Sequence, residues 1–208
     1  GAALPWCGHT KWRRQCEQPS GLSPRELSQH DSEDDDLMAS KGKWAQGITP
    51  RNFVWVMQDR LGICERPGGY GENHRRVRRQ EEIIWIREQG FSRVISLIGA
   101  NHNLHNYDEL GVKWLHRPWN PQDSLINFQS VVYPELDQML GAGEKLLLHQ
   151  EEVGERICGL IGGYLHWAGL VPHGPQTISI TERLLGPTGR QLIANAAELR
   201  AKRSRGQV

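Results

Sequence analysis

Residues 145–156, Lys-Leu-Leu-Leu-His-Gln-Glu-Glu-Val-Gly-Glu-Arg, place a histidine, an amide, three carboxylates and a guanidinium within one short stretch. Three leucines closing on His149 read as a buried strand, and from Arg156 onward small and apolar side chains recur at helical spacing. A strand, a tight loop and a helix therefore meet at one point. Such a junction gathers backbone N–H groups and the positive end of a helix dipole, which is how proteins build anion sites.

His149, five residues between position 150 and an arginine, and a following helix resemble the signature loop of the cysteine-dependent protein-tyrosine and dual-specificity phosphatases. The loop is then His149, Gln150, Glu151, Glu152, Val153, Gly154, Glu155 and Arg156. The resemblance implies a thiolate nucleophile at position 150, with its pKa lowered by loop amides, and an arginine that clamps two phosphoryl oxygens. Position 150 is glutamine, which leaves the nucleophile position vacant. Cys158 lies beyond the arginine, inside the following helix, and does not replace it. The resemblance further implies an aspartic general acid on a proline-containing loop after an earlier strand. Asp123 in Arg117-Pro-Trp-Asn-Pro-Gln-Asp-Ser124 is the nearest acid, with an ordinary turn carboxylate as the competing reading.

Glu151, Glu152 and Glu155 stand where loop amides would face a dianion. At ~8 Å and an effective dielectric of about 20, each carboxylate opposes a phosphate dianion by roughly 4 kcal/mol before screening. Phosphate is thus a poor ligand for this loop. One expectation follows for the anion site: at least one of the three carboxylates turns inward to pair with Arg156 or the loop amides.

The elements that must position these groups alternate along the chain. Strands are expected over 53–56, 61–64, 93–98, 112–116 and 145–148. Helices are expected over 74–88, 125–140, 157–167, 176–185 and 190–201, with a short helical turn near 107–111. This order predicts an α/β phosphatase-like three-layer domain, a central, mostly parallel sheet flanked by helices, over residues 51–201. Residues 1–50, rich in Gly, Pro, Ser and charge and holding Asp31-Ser-Glu-Asp-Asp-Asp36, read as a disordered tail, and 202–208 as a basic C-terminal tail. Met38 reads as an alternative start.

Several other features carry less. The Gly-rich loop 65–73 matches neither a Walker loop nor a dinucleotide fingerprint and reads as a turn. Arg75, Arg76, Arg78 and Arg79, followed by Glu81, Glu82 and Glu88, read as a salt-bridged solvated face, with Val77 and Ile84 turned inward. His102, His105 and His116 lack ligand spacing, so no metal is expected. Cys7, Cys16, Cys64 and Cys158 are scattered and read as unpaired thiols.

The formal net charge of the 208 residues is +1, which recommends neither nucleic acid nor membrane as a partner. No apolar run is long enough to span a bilayer and no signal-peptide order opens the chain, so a cytoplasmic location is expected. The functional expectation is a catalytically inactive phosphatase-like domain, needing no cofactor, that acts as a binding or regulatory module toward a protein partner. The alternative is a diverged hydrolase that uses a loop glutamate, or a hard cation held by the glutamates, in place of the thiolate.

Overall fold

The computed structural model describes residues 46–69 and 76–206. Within them, β1 (Val54–Met57) and β2 (Leu61–Glu65) form a hairpin, followed by α1 (Arg76–Glu88), β3 (Arg93–Ser96), the short α2 (His105–Glu109) and β4 (Trp114–His116). After these come α3 (Leu125–Gly141), β5 (Leu146–Gln150), α4 (Glu155–Trp167), α5 (Gly174–Leu185) and α6 (Arg190–Ser204). The five strands make one sheet in the order β1-β2-β5-β3-β4. Only the β1–β2 pair is antiparallel; β2–β5, β5–β3 and β3–β4 are parallel.

β5 is central, and its sequence shows why. Leu146, Leu147 and Leu148 are fully buried, as a strand covered on both faces requires. Leu146 and Leu148 face a core built with Tyr133 and Leu136 of α3, Ile157 and Ile161 of α4, and Leu192 and Ala196 of α6. Leu147 faces the opposite core, with Ile83 and Ile86 of α1, Tyr107 of α2 and Phe91. Helices therefore cover both faces, which is the three-layer α/β arrangement expected from the element order.

α4 is buried along almost its whole length. Its neighbours are knitted by hydrogen bonds as well as packing. Gln129 of α3 donates to Leu192 O at 2.7 Å and to Tyr133 Oη at 2.6 Å, and Tyr133 in turn donates to Leu160 O at 3.0 Å.

Four expectations need correction or restriction. Val77 is 65% exposed, while Arg79 and Glu82 are buried, so the inward stripe of α1 runs through 79, 82, 83 and 86. Burial of this acid is possible because Glu82 accepts from Gly68 N at 2.6 Å and from Arg78 Nε at 2.8 Å; Arg79 donates to Asn106 Oδ1 at 2.7 Å. At the N-terminal boundary, Pro50 is already buried and Ile48 N donates to Glu81 O at 3.2 Å. At the other end, α6 continues through Ser204, so the helix overruns the expected start of the basic tail. Residues 1–45, with Trp6, Trp12, Trp44, Cys7, Cys16 and Met38, lie outside the described residues, as do 70–73 of the Gly-rich loop, His74 and Arg75 of the expected helix, and 207–208. No helix among the described residues is long and apolar enough to cross a membrane.

Candidate functional site

The signature loop hangs from the C-terminal end of the central strand. Parallel pairing sets Gln150 beside Glu65 and His149 between Cys64 and Ser96. Two carbonyls fix this end of the strand: Arg66 N donates to Gln150 O at 2.8 Å, and Leu97 N to His149 O at 3.0 Å. The chain then turns through 151–154, and α4 opens at Glu155 after an extended Gly154 that gives no side-chain cap. Gln150, Glu151, Glu152, Gly154, Glu155, Arg156 and Ile157 line a cavity of about 430 Å³.

Arg156 does not meet a carboxylate of its own loop. Its guanidinium lies over the Trp119 ring, with Cζ 4.2 Å from the centroid, and Nη2 donates to Asn120 O at 3.2 Å. Trp119 stacks in turn on Phe128, 4.9 Å apart and 4° from parallel. The expected pairing of Arg156 with Glu151, Glu152 or Glu155 is thereby corrected. Glu152 and Glu155 are exposed, and Glu151 pairs with Arg66, Nε to Oε2 at 3.2 Å, although Oε2 accepts no hydrogen bond from the described residues. The reason lies in the register. Arg66 follows β2 directly beside Gln150, so it reaches Glu151, while Arg156 on the first turn of α4 points toward the proline loop.

That loop holds Asp123 by its own turn. Asp123 Oδ2 accepts from Asn120 N at 2.6 Å, and Asp123 N donates to Asn120 O at 3.1 Å, the same carbonyl that receives Arg156. Burial lowers the Arg156 pKa, and the nearby Asp123 charge acts in the opposite direction. The structure thus brings Asp123 and Arg156 into one electrostatic neighbourhood, with the carboxylate engaged in holding the turn.

No thiol faces the loop from the positions described. Cys158 is buried one turn into α4, donates to Leu185 O at 3.5 Å, and burial raises its pKa; Cys64 is fully buried, and burial raises its pKa as well. His149 is equally buried, and desolvation, with Arg66 nearby, lowers its pKa to about 3, so the ring is neutral. The three histidines singled out in the sequence go different ways: His102 accepts from Arg66 Nη1 at 2.9 Å, His116 Nε2 donates to Ile98 O at 2.7 Å, and His105 opens α2. Among the described residues no three His, Cys, Asp or Glu side chains are grouped to hold a metal ion. Arg66, Trp119 and Asn120 are the site residues that sequence reasoning missed. In-register pairing of β2 with β5 is the signal that would have placed Arg66.

No protein-family model matches the sequence, and no curated protein does either. Solved structures do match. The chain is similar to kinase associated phosphatase carrying a serine at its catalytic-site cysteine, at 20% identity and a TM-score of 0.61, over 75% of this chain and 97% of that one. It is similar to P. aeruginosa TpbA in complex with pTyr, at 15% identity and a TM-score of 0.55, over 80% and 99%. It is also similar to the human tyrosine phosphatase-like serine/threonine/tyrosine-interacting protein, at 13% identity and a TM-score of 0.50, over 73% and 97%. The chain has the fold of the dual-specificity and protein-tyrosine phosphatases.

Proposed function

We propose that this phosphatase-fold domain is catalytically inactive and serves as a binding or regulatory module for a protein partner. One observation carries the reading: glutamine occupies position 150 at the tip of β5, where the fold's nucleophile would stand, and its amide is not a usable nucleophile. The surroundings agree with it. Cys158 is turned toward Leu185, Asp123 is engaged in its turn, and Arg156 is held against Trp119 and Asn120. A cytoplasmic location belongs to the same proposal, supported by the free, buried Cys64 and Cys158.

The test is hydrolysis of a generic aryl phosphate by the full chain before and after thiol alkylation. No alkylation-sensitive turnover is expected, and Cys158→Ser should behave as wild type. Thiol-dependent turnover lost in Cys158→Ser would overturn the proposal. Phosphate or vanadate at millimolar concentration is expected to leave the melting temperature unchanged. A rise lost in Arg156→Ala would instead make the loop an oxyanion-binding site.

A further inference from the structure

At His149, where the loop begins, a row of polar side chains crosses the sheet. Register places Cys64 of β2 beside His149 of β5, His149 beside Ser96 of β3, and Ser96 beside His116 of β4. Residues in register on a parallel sheet point to the same face. Two positions earlier, Leu147 and Val94 belong to the core under α1 and α2, so His149 and Ser96 point there too. The ring of Tyr107, from α2, comes down on His149 with centroids 6.0 Å apart.

These three side chains are 1%, 0% and 3% exposed for His149, Ser96 and Tyr107 respectively. Ser96 Oγ, Tyr107 Oη and both ring nitrogens of His149 nevertheless find no hydrogen-bond partner among the described residues. All three residues line one cavity of about 10 Å³, which Arg66, Arg79 and His102 also line. Buried polar groups are almost always hydrogen-bonded, and a cluster of them around one space calls for a shared guest. A volume of this size is room for about one water molecule.

The chemistry of the wall fits water. Burial raises the Tyr107 pKa, and burial then Arg66 lower that of His149, so both are neutral. A neutral imidazole offers either an N–H or a lone pair, and each hydroxyl can donate or accept. Two acceptors and one donor can therefore converge on a single water, the usual coordination of a buried one.

We propose that one ordered water fills this cavity, bridges Ser96 Oγ, Tyr107 Oη and one ring nitrogen of His149, and so fixes the tautomer and ring plane of the histidine that precedes Gln150. Arg66 connects the same cavity to the loop above it. Its Nε donates to Gly69 O at 3.1 Å and lies 3.2 Å from Glu151, while its Nη1 donates to His102 at 2.9 Å. The water-filled cavity and the loop thus share one support, and the inference goes beyond the binding role by assigning His149 a fixed protonation state whatever the loop binds.

The test is a high-resolution crystal structure of the full chain, with and without a bromide soak, paired with nitrogen NMR of the His149 ring. One density peak within about 3.2 Å of all three groups is expected, with no anomalous bromide signal there. Ser96→Ala and Tyr107→Phe should each shift the His149 ring-nitrogen resonances, and Ser96→Ala, the smaller change, should leave the fold intact. An empty cavity, a bromide peak, or ring resonances unmoved in folded Ser96→Ala would overturn the proposal.

Discussion

The strand-loop-helix unit contains two regions governed by opposite constraints. In α4, glycines are required by contact: a Cβ on Gly159 would stand 2.7 Å from Gly189 O and 2.9 Å from Leu192 Cδ1, and one on Gly162 would stand 2.7 Å from Thr181 Oγ1. In the loop before it, Glu152 and Glu155 reach solvent, and a Cβ on Gly154 meets nothing closer than 3.8 Å. Packing excludes change in the helix, whereas water accepts nearly any side chain in the loop. Fold and loop chemistry can therefore vary independently, because different residues answer for each.

The sharpest way to break this contrast is to add one methyl group to each region. Gly159→Ala should cost about 2–4 kcal/mol, since the obstacle is partly backbone and cannot rotate away. Gly154→Ala, at φ −132°, should stay within about 0.5 kcal/mol. Urea midpoints of the two variants measure the difference. Equal losses would show that the loop is packed as tightly as the helix.

Acid should sharpen the contrast from inside the sheet. His149 has its pKa lowered from 6.5 to about 3, so between these values the unfolded chain binds more protons than the folded one. Stability that is fully present above pH 6.5 is therefore lost as pH falls toward 3, at up to about 1.4 kcal/mol per pH unit. His149→Asn should remove this portion of the slope in chemical denaturation between pH 6 and 4. An unchanged slope would show that the ring is not the titrating group.

The legible parts of this molecule are those set by local pattern. The leucine run gave the buried central strand, and the spacing from His149 to Arg156 gave the loop and the start of its helix. The missed parts depend on which elements lie side by side. Val77 looks like a core residue in a short apolar count, yet the phase of α1 is decided by Glu82, whose burial needs the Gly68 N–H from another segment. Likewise Arg156 and Glu151, five positions apart in one loop, choose partners from two different segments, Asn120 and Arg66. Charge proximity along the chain does not specify an ion pair when a parallel strand delivers a nearer arginine.

Arg156→Ala separates these two arginine roles. Because Arg156 holds a ring face and a carbonyl rather than a carboxylate, its loss strands no buried charge and should cost about 1–2 kcal/mol. A Trp119→Leu background should reduce that cost by about half if stacking carries it. Thermal or urea denaturation of the four proteins in the cycle checks this. Full additivity would show that the ring contributes nothing to holding the arginine.

The smallest expected effect lies at position 150 itself. Gln150→Cys removes an amide whose Oε1 is buried without a partner among the described residues, so lost packing is offset by relief of an unsatisfied group, and stability should stay within about 1 kcal/mol. Activity should stay at background as well. A reactive thiol needs an electropositive setting that favours the thiolate, and here it would sit among Glu151, Glu152 and Glu155. Arg156 is turned to Trp119 and Asn120, and Asp123 is hydrogen-bonded in its own turn. Aryl phosphate hydrolysis by Gln150→Cys, measured before and after alkylation, should match wild type. Alkylation-sensitive turnover in this variant would break the contrast between helix and loop, because it would mean that the loop, like the scaffold behind it, still carries everything except the nucleophile.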